Sequence, residues 1–67
     1  MNIKEVKKRE GLIKARKERE LRQEDVALIV GISRPFYNQI ENGKRNVSIE
    51  IGAKLEDVLG VNIKSLK

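Results

Sequence analysis

The fold is decided by residues 23–42, which read QEDVALIVGISRPFYNQIEN. Apolar residues recur at helical spacing on both sides of one glycine, and they are Val26, Ala27, Val30, Ile32, Tyr37 and Ile40. This spacing predicts two short helices that meet through a tight turn at a steep angle, with the small Ala27 where the helices come closest and Gly31 where the backbone needs a positive φ. Such a helix-turn-helix is either a reader of DNA or a plain αα-hairpin, and the apolar spacing alone leaves both open.

Further residues at fixed places extend the pattern. Gln23 opens the second helix, Ala27 lies in its middle, Gly31 makes the turn, and Ser33 caps a third helix that closes with the run IENGKR at residues 40–45. Present together and in register, these features resemble the DNA-binding domain of the phage Cro/repressor-type regulators, the XRE-like family. The resemblance covers about residues 12–66. It implies a domain that reads double-stranded DNA with its third helix.

The pattern and the resemblance predict an all-α fold, a compact five-helix lambda-repressor-like domain at residues 11–67. Residues 1–10 form either a basic arm or the start of the first helix. Helices are expected at residues 11–19, 23–30, 34–42 and 49–59, with a short last turn at residues 62–66. Ser33 and Ser48 are the expected N-caps, Pro35 suits a first helical turn, and Gly43 and Gly60 end their helices.

The core is expected to consist of the apolar residues on the inner faces of these helices. They are Leu12, Ala15, Leu21, Val26, Ala27, Val30, Ile32, Tyr37, Ile40, Ile49, Leu55, Leu59, Val61 and Ile63. Tyr37 occupies a position that is aliphatic and buried in the family, so its ring should pack, with its hydroxyl at the domain edge.

The composition excludes several classes of function. Sixty-seven residues make one small domain, and the chain has no His and no Cys, which removes the common metal ligands, thiol nucleophiles and disulfides. An enzyme is therefore not expected, nor is a cofactor, a metal or a small-molecule ligand. No stretch is long and apolar enough to span a membrane, so the sequence predicts a soluble cytoplasmic protein.

The positive charge is concentrated in one half of the chain. The net charge is +5; residues 1–45 hold twelve Lys and Arg against seven Asp and Glu, whereas residues 46–67 hold three of each. The excess lies in the half that contains the helix-turn-helix, which suits an anionic partner such as DNA. For residues 4–20 taken alone, where acids and bases are interspersed, a solvated helix face is the favoured interpretation.

Four residues of the third helix are candidates for contact with base edges. Arg34 follows the cap and projects from the end that would enter the major groove, where Arg can pair with guanine, although a phosphate contact is the alternative. Gln39 faces the groove in the family and can pair with adenine, and Asn38 beside it can reach a base or a phosphate. Phe36 either meets a thymine methyl group or folds against the end of the second helix.

Five residues at the ends of the reader are expected to contact phosphates, as the resemblance implies. They are Gln23, Ser33, Asn42, Lys44 and Arg45. The resemblance also implies that Gln23 braces a side chain of the third helix, whereas capping alone already explains Ser33. Four further residues have structural roles: Gly31 and Ala27 at the turn, and an ion pair between Arg16 and Glu41 that is implied by the family.

The sequence predicts a sequence-specific regulator of transcription, acting as a repressor and binding a pseudo-palindromic operator as a homodimer, because one small reader contacts too few bases. Ile51 and Val58, beside Leu66, are the expected dimer surface. The main alternative is a protein-interaction module, such as an antitoxin or adaptor, for which DNA binding is secondary.

Overall fold

The computed structural model describes residues 8–62, which form four helices and no strand. They are α1 (Glu10–Glu18), α2 (Gln23–Val30), α3 (Arg34–Glu41) and α4 (Ile49–Leu59). The fold is all-α, and each predicted helix of this part of the chain is present within one residue of its expected bounds. The predicted last turn at residues 62–66, which includes Ile63 and Leu66, and the possible arm at residues 1–7 lie outside the described residues. The five-helix count therefore stays a prediction.

Local side-chain chemistry explains where α3 and α4 begin. The hydroxyl oxygen of Ser33 accepts a hydrogen bond from the backbone N–H of Phe36 at 3.2 Å, and that of Ser48 accepts one from Ile51 at 3.1 Å. Each bond satisfies an N–H of the first turn that has no partner within the helix. Pro35 follows in the first turn of α3, where its missing N–H is not needed.

The turn between α2 and α3 takes the predicted backbone conformation. Gly31 has a φ of 87°, and its N–H and that of Ile32 both donate to the carbonyl oxygen of Ala27, at 2.8 and 2.9 Å. Ala27 itself is buried. A side chain at Gly31 would be strained by the positive φ, so the turn between α2 and α3 requires glycine here.

The core lies where all four helices meet. Its buried apolar residues are Leu12, Ala15, Val26, Ala27, Val30, Tyr37, Ile40, Leu55 and Leu59, all of them predicted. Leu21, Ile32 and Val61 are partly buried against it. Among the described residues, no helix is long and apolar enough to cross a membrane.

Ile49 was expected in the core, and that prediction is wrong. Its side chain is 83% exposed, whereas the inner face of α4 consists of Gly52, Leu55 and Leu59. Ile49 is the first residue of α4 and lies about a quarter turn from the centre of that face. Since helical side chains lean toward the N-terminus, it points past the end of the core.

The position of the Tyr37 hydroxyl also differs from the prediction. The residue is fully buried, and its hydroxyl makes no hydrogen bond with the described residues, so it does not lie at the domain edge. Burial, reinforced by the neighbouring Glu41 carboxylate, raises the pKa of Tyr37 and keeps the hydroxyl protonated. The ring follows Ile40 and Glu41 inward because all three lie on one face of α3.

The expected dimer strip on α4 is only partly exposed. Ile51 and Val58 pack partly against the core of their own chain. The large apolar side chains that remain exposed in the described residues are Leu28 and Ile29 on α2 and Ile49 on α4. The free apolar surface therefore involves α2 as well as α4.

Candidate nucleic-acid interface

One face of α3 is directed to solvent, and it carries polar side chains. Arg34 and Gln39 are exposed, Asn38 and Phe36 are half-buried, and the opposite face is buried. An eight-residue helix is about 12 Å long and roughly 10–12 Å wide, which matches a major groove about 12 Å across. The helix can therefore present these four side chains to base edges while its other face holds it on the domain.

The N-terminal half of this face adjoins the start of α2. A shallow depression there is lined by Gln23, Arg34, Pro35 and Asn38. The structure thus brings a predicted phosphate contact, Gln23, next to two predicted base readers. Ser33 is exposed at the edge of the same region, where its hydroxyl caps α3.

Side-chain amides connect this depression to the interior. The Nδ2 group of Asn38 donates to Oε1 of Gln23 at 3.1 Å, and Nε2 of Gln23 donates to Oε1 of Glu41 at 2.8 Å. Asn42, past the end of α3, donates from Nδ2 to Oδ1 of Asn38 at 3.0 Å. Gln23 therefore braces α3 from α2, as the resemblance implied.

Glu41 anchors this group of side chains in the core. It is almost completely buried, and the guanidinium of Arg16 donates to it from Nε at 2.6 Å and from Nη2 at 3.1 Å. Burial by itself raises the pKa of Glu41, but the hydrogen bonds from Arg16 and Gln23 outweigh it and hold the pKa below its usual value. Glu41 is thus ionised at neutral pH, and the predicted ion pair is present.

Arg45 lies against the middle of the exposed face of α3 rather than beyond the end of this helix. Its guanidinium carbon is 4.6 Å from the centre of the Phe36 ring, and its Nε donates to Oε1 of Gln39 at 2.8 Å. A predicted phosphate contact therefore shares one surface with two predicted base readers. Phe36 also packs partly against the core. Lys44 is exposed next to Arg45.

Arg9 has a role in positioning α3 that the sequence did not indicate. Its Nη1 group donates to the carbonyl oxygens of Ile40 at 2.6 Å and Arg45 at 3.0 Å, and its backbone N–H donates to that of Glu41 at 2.8 Å. A cation near the last carbonyls of a helix compensates their negative partial charge. Since the partners are more than thirty residues away in the chain, no local pattern could have revealed the contact.

The arrangement suits binding of an anionic polymer. Arg34 lies at the start of α3 and Lys44 lies past its end, while Arg45 folds back over Phe36 and Gln39 between them. Within the described residues, no group of His, Cys, Asp and Glu side chains is arranged to hold a metal ion. The fold and this surface define the class of protein: a helix-turn-helix DNA-binding protein.

The chain belongs to the helix-turn-helix family, whose model matches residues 12–66. It is 43% identical over 56 residues to control protein C.MunI from a Mycoplasma species, a match that covers 82% of this chain and 76% of that protein.

Solved structures show the same architecture. The crystal structure of the restriction-modification controller protein C.AhdI from Aeromonas hydrophila superimposes with a TM-score of 0.77 at 32% identity, covering 92% of this chain and 94% of that one. The clp gene regulator ClgR from C. glutamicum gives 0.73 at 21% identity, covering 87% and 75%, and this similarity concerns the fold alone. Together with the family match, these similarities identify a DNA-binding transcriptional regulator. The contacts of individual residues with DNA stay predictions.

Proposed function

We propose that this protein is a sequence-specific repressor that binds a pseudo-palindromic operator as a homodimer and reads the major groove with α3. The observation that carries the proposal is the division of α3 into two faces. Tyr37, Ile40 and Glu41 hold the inner face in the core, while Arg34 and Gln39 project to solvent. A cytoplasmic location, with access to DNA, follows from this function.

Base reading is assigned to the exposed face of α3. Arg34 is suited to the O6 and N7 atoms of guanine and Gln39 to the N6 and N7 atoms of adenine. Asn38 adds an amide beside them, and Phe36 can meet a thymine methyl group. The flanking residues that position the domain on the phosphates are Gln23, Ser33, Asn42, Lys44 and Arg45.

The homodimer is supported by a second depression, which lies between α2 and α4. It is lined by Ile29, Lys54, Asp57 and Val58, and Ile29 is 57% exposed. A twofold interface places one patch against its own copy. Two apolar residues flanked by one Lys and one Asp are then self-complementary in charge. We assign the dimer surface here, in place of the strip of Ile51, Val58 and Leu66 expected from the sequence.

A measurement of mass in solution tests this surface. Sedimentation at tens of micromolar should show a dimer for the parent chain, and Ile29→Asp should shift it to monomer without loss of helicity. Leu28→Asp is the control: Leu28 is next to Ile29 and even more exposed, at 81% against 57%, but it lies outside the depression, so the dimer should stay intact. A parent chain that remains monomeric at this concentration would contradict the proposed homodimer.

The regulated genes are proposed to be those of a restriction-modification system. The support is the similarity to the controller protein C.AhdI, which extends over nearly the whole of both chains, and to the control protein C.MunI. Expression of a reporter behind the promoter of adjacent restriction-modification genes should fall when this protein is produced. Unchanged or increased expression would contradict repression while leaving DNA binding open.

Selection from a random library of double-stranded DNA tests sequence-specific binding directly. Sequencing of the retained fraction should reveal an inverted repeat whose half-sites lie about one helical turn apart. The Arg34→Ala variant, which leaves the core untouched, should enrich a degenerate version of the same repeat. Absence of any enriched sequence would favour a protein-interaction module, such as an antitoxin or adaptor.

A further inference from the structure

A continuous chain of side-chain hydrogen bonds runs from the core to the recognition surface. Arg16 donates to Glu41, Gln23 donates to Glu41, Asn38 donates to Gln23, and Asn42 donates to Asn38. All four links have donor–acceptor distances between 2.6 and 3.1 Å. Three consecutive amides thus point their NH2 groups the same way along the chain, toward Glu41.

The chemistry of the groups explains this common direction. An ionised carboxylate only accepts hydrogen bonds, whereas an amide has a donor end and an acceptor end and can be turned either way. Because Glu41 accepts, Gln23 must direct its NH2 group inward and its carbonyl oxygen outward. Asn38 must then offer its NH2 group to that oxygen, and Asn42 must do the same for Asn38. One buried carboxylate therefore sets the orientation of three amides.

The orientation matters at the recognition surface because Gln23 and Asn38 line the depression beside Arg34. Each NH2 group uses one N–H within the chain and keeps a second for another acceptor. The acceptors that DNA offers beside a bound helix are phosphate oxygens and base-edge oxygens and nitrogens. A fixed orientation places these N–H donors before DNA arrives, which removes the cost of ordering them on binding.

We propose that Glu41 is a positioning residue for DNA binding, and that its carboxylate holds Gln23 and Asn38 in the one amide orientation that presents N–H donors to DNA. The part of this inference that concerns DNA binding rests on the proposed function. The orientation of the hydrogen-bonded amides is a property of the protein without DNA. The orientation and its effect on DNA binding can therefore be tested separately.

A double-mutant cycle tests the direction in the free protein. Asn42→Asp puts a second group that can only accept hydrogen bonds at the outer end of the hydrogen-bonded series. With Glu41 at the inner end, one hydrogen bond of the series must then break. In the Glu41→Gln background the whole chain can reverse and satisfy both ends. Urea unfolding should show that Asn42→Asp lowers the folding equilibrium constant about tenfold more in the parent than in the Glu41→Gln background, which is the worth of one hydrogen bond.

A second mutant background keeps the test possible if the Glu41→Gln variant does not fold. Gln23→Met, at a half-buried position, interrupts the chain, so Asn38 can turn toward Asp at position 42 without conflict. Asn42→Asp should again be less harmful there than in the parent. Asn42→Ala, which adds no acceptor, is the control and should cost the same in every background. Equal effects of Asn42→Asp in all backgrounds would overturn the inference.

Binding titrations test the DNA half. At pH 8 and constant salt, Glu41→Gln should weaken binding to the selected operator by about three- to tenfold per folded molecule, because only part of the population then has the competent orientation. Arg16→Gln breaks the same ion pair but keeps the carboxylate, and it should bind within about twofold of the parent. Equal losses in both variants would overturn the inference. A parent chain that binds no DNA would instead overturn the proposed function. The double-mutant cycle would still test the orientation of the amides, because it is measured without DNA.

Discussion

The guanidinium of Arg16, in α1, donates hydrogen bonds to both carboxylate oxygens of Glu41, at the end of α3. Nε lies 2.6 Å from Oε2 and Nη2 lies 3.1 Å from Oε1, and the two side chains are only 12% and 3% exposed. Arg16 Nη1 also donates to the carbonyl oxygen of Leu21 at 3.0 Å, so the guanidinium joins α1, the loop after it and α3. A two-pronged pair of this kind fixes the relative position of the helices as well as their charge balance.

Removal of Glu41 should be costly because it leaves Arg16 buried without its counter-charge. We expect Glu41→Ala to lower the free energy of unfolding by about 3 kcal/mol in urea titrations at pH 7. Glu18→Ala is the matched control, since Glu18 is an exposed residue at the end of α1. A shift no larger than that of the control would mean that the ion pair contributes nothing to stability.

The same ion pair should give the fold an acid-sensitive component. The pKa of Glu41 is lowered from its usual 4.5, so its contribution is complete above that value and is lost as the pH falls through the lower pKa of the folded state. The difference in unfolding free energy between the parent and Glu41→Gln should therefore shrink below about pH 4.5. A difference that stays constant from pH 7 to pH 3 would contradict this assignment.

Removal of the buried hydroxyl of Tyr37 should, in contrast to removal of Glu41, not lower the free energy of unfolding. The hydroxyl lies close enough to Glu41 for each group to shift the other's pKa, but it makes no hydrogen bond of good geometry among the described residues, so Tyr37→Phe removes a poorly satisfied polar group and keeps the ring. We expect the free energy of unfolding to stay equal or to rise by up to about 1 kcal/mol. Tyr37→Leu, which loses ring volume, should lower it. A clear loss in Tyr37→Phe would show that the hydroxyl bonds to the neighbouring Glu41 in solution.

Local patterns predicted the helices well, because caps and glycines act within a few residues. Ser33, Ser48 and Gly31 each fix a boundary through a bond or a backbone angle that the sequence alone implies. The burial of Ile49 was predicted wrongly because helical spacing describes a face, whereas its exposure depends on where the core ends. The sequence also did not predict the positive φ of Glu20, 56°, because that angle depends on how α1 ends.

The backbone at Glu20 should be relieved by glycine. Positive φ costs an ordinary residue roughly 1 kcal/mol, while a glycine adopts it freely but loses more entropy on folding. We expect Glu20→Gly to raise the free energy of unfolding by about 0.5 kcal/mol in urea titrations. Lys14→Gly, at an exposed position in the middle of α1, should lower it by about 1 kcal/mol. A loss at both positions would mean that the positive φ carries no strain.

The resemblance indicated which side chains lie together on and beside the exposed face of α3, but it did not indicate how they are connected. Gln23, Asn38 and Gln39 were each assigned to DNA, yet the sequence did not indicate that Glu41 links to Asn38 through Gln23 or that Arg45 bonds to Gln39. Such links depend on side-chain rotamers and on helices that are distant in the sequence. Only a folded structure can supply them.

Base reading and phosphate anchoring should separate in binding experiments. Arg34 projects from the start of α3, so Arg34→Ala should cost about 1–3 kcal/mol on the operator and relax preference at one or two base pairs. Lys44 lies past the end of α3, so Lys44→Ala should weaken all sequences alike and reduce the salt slope by about one unit. Titrations of both variants on operator and scrambled duplexes at several salt concentrations distinguish the two classes. If Arg34→Ala weakened both duplexes equally, Arg34 would belong with the phosphate contacts, and α3 would dock in a different orientation.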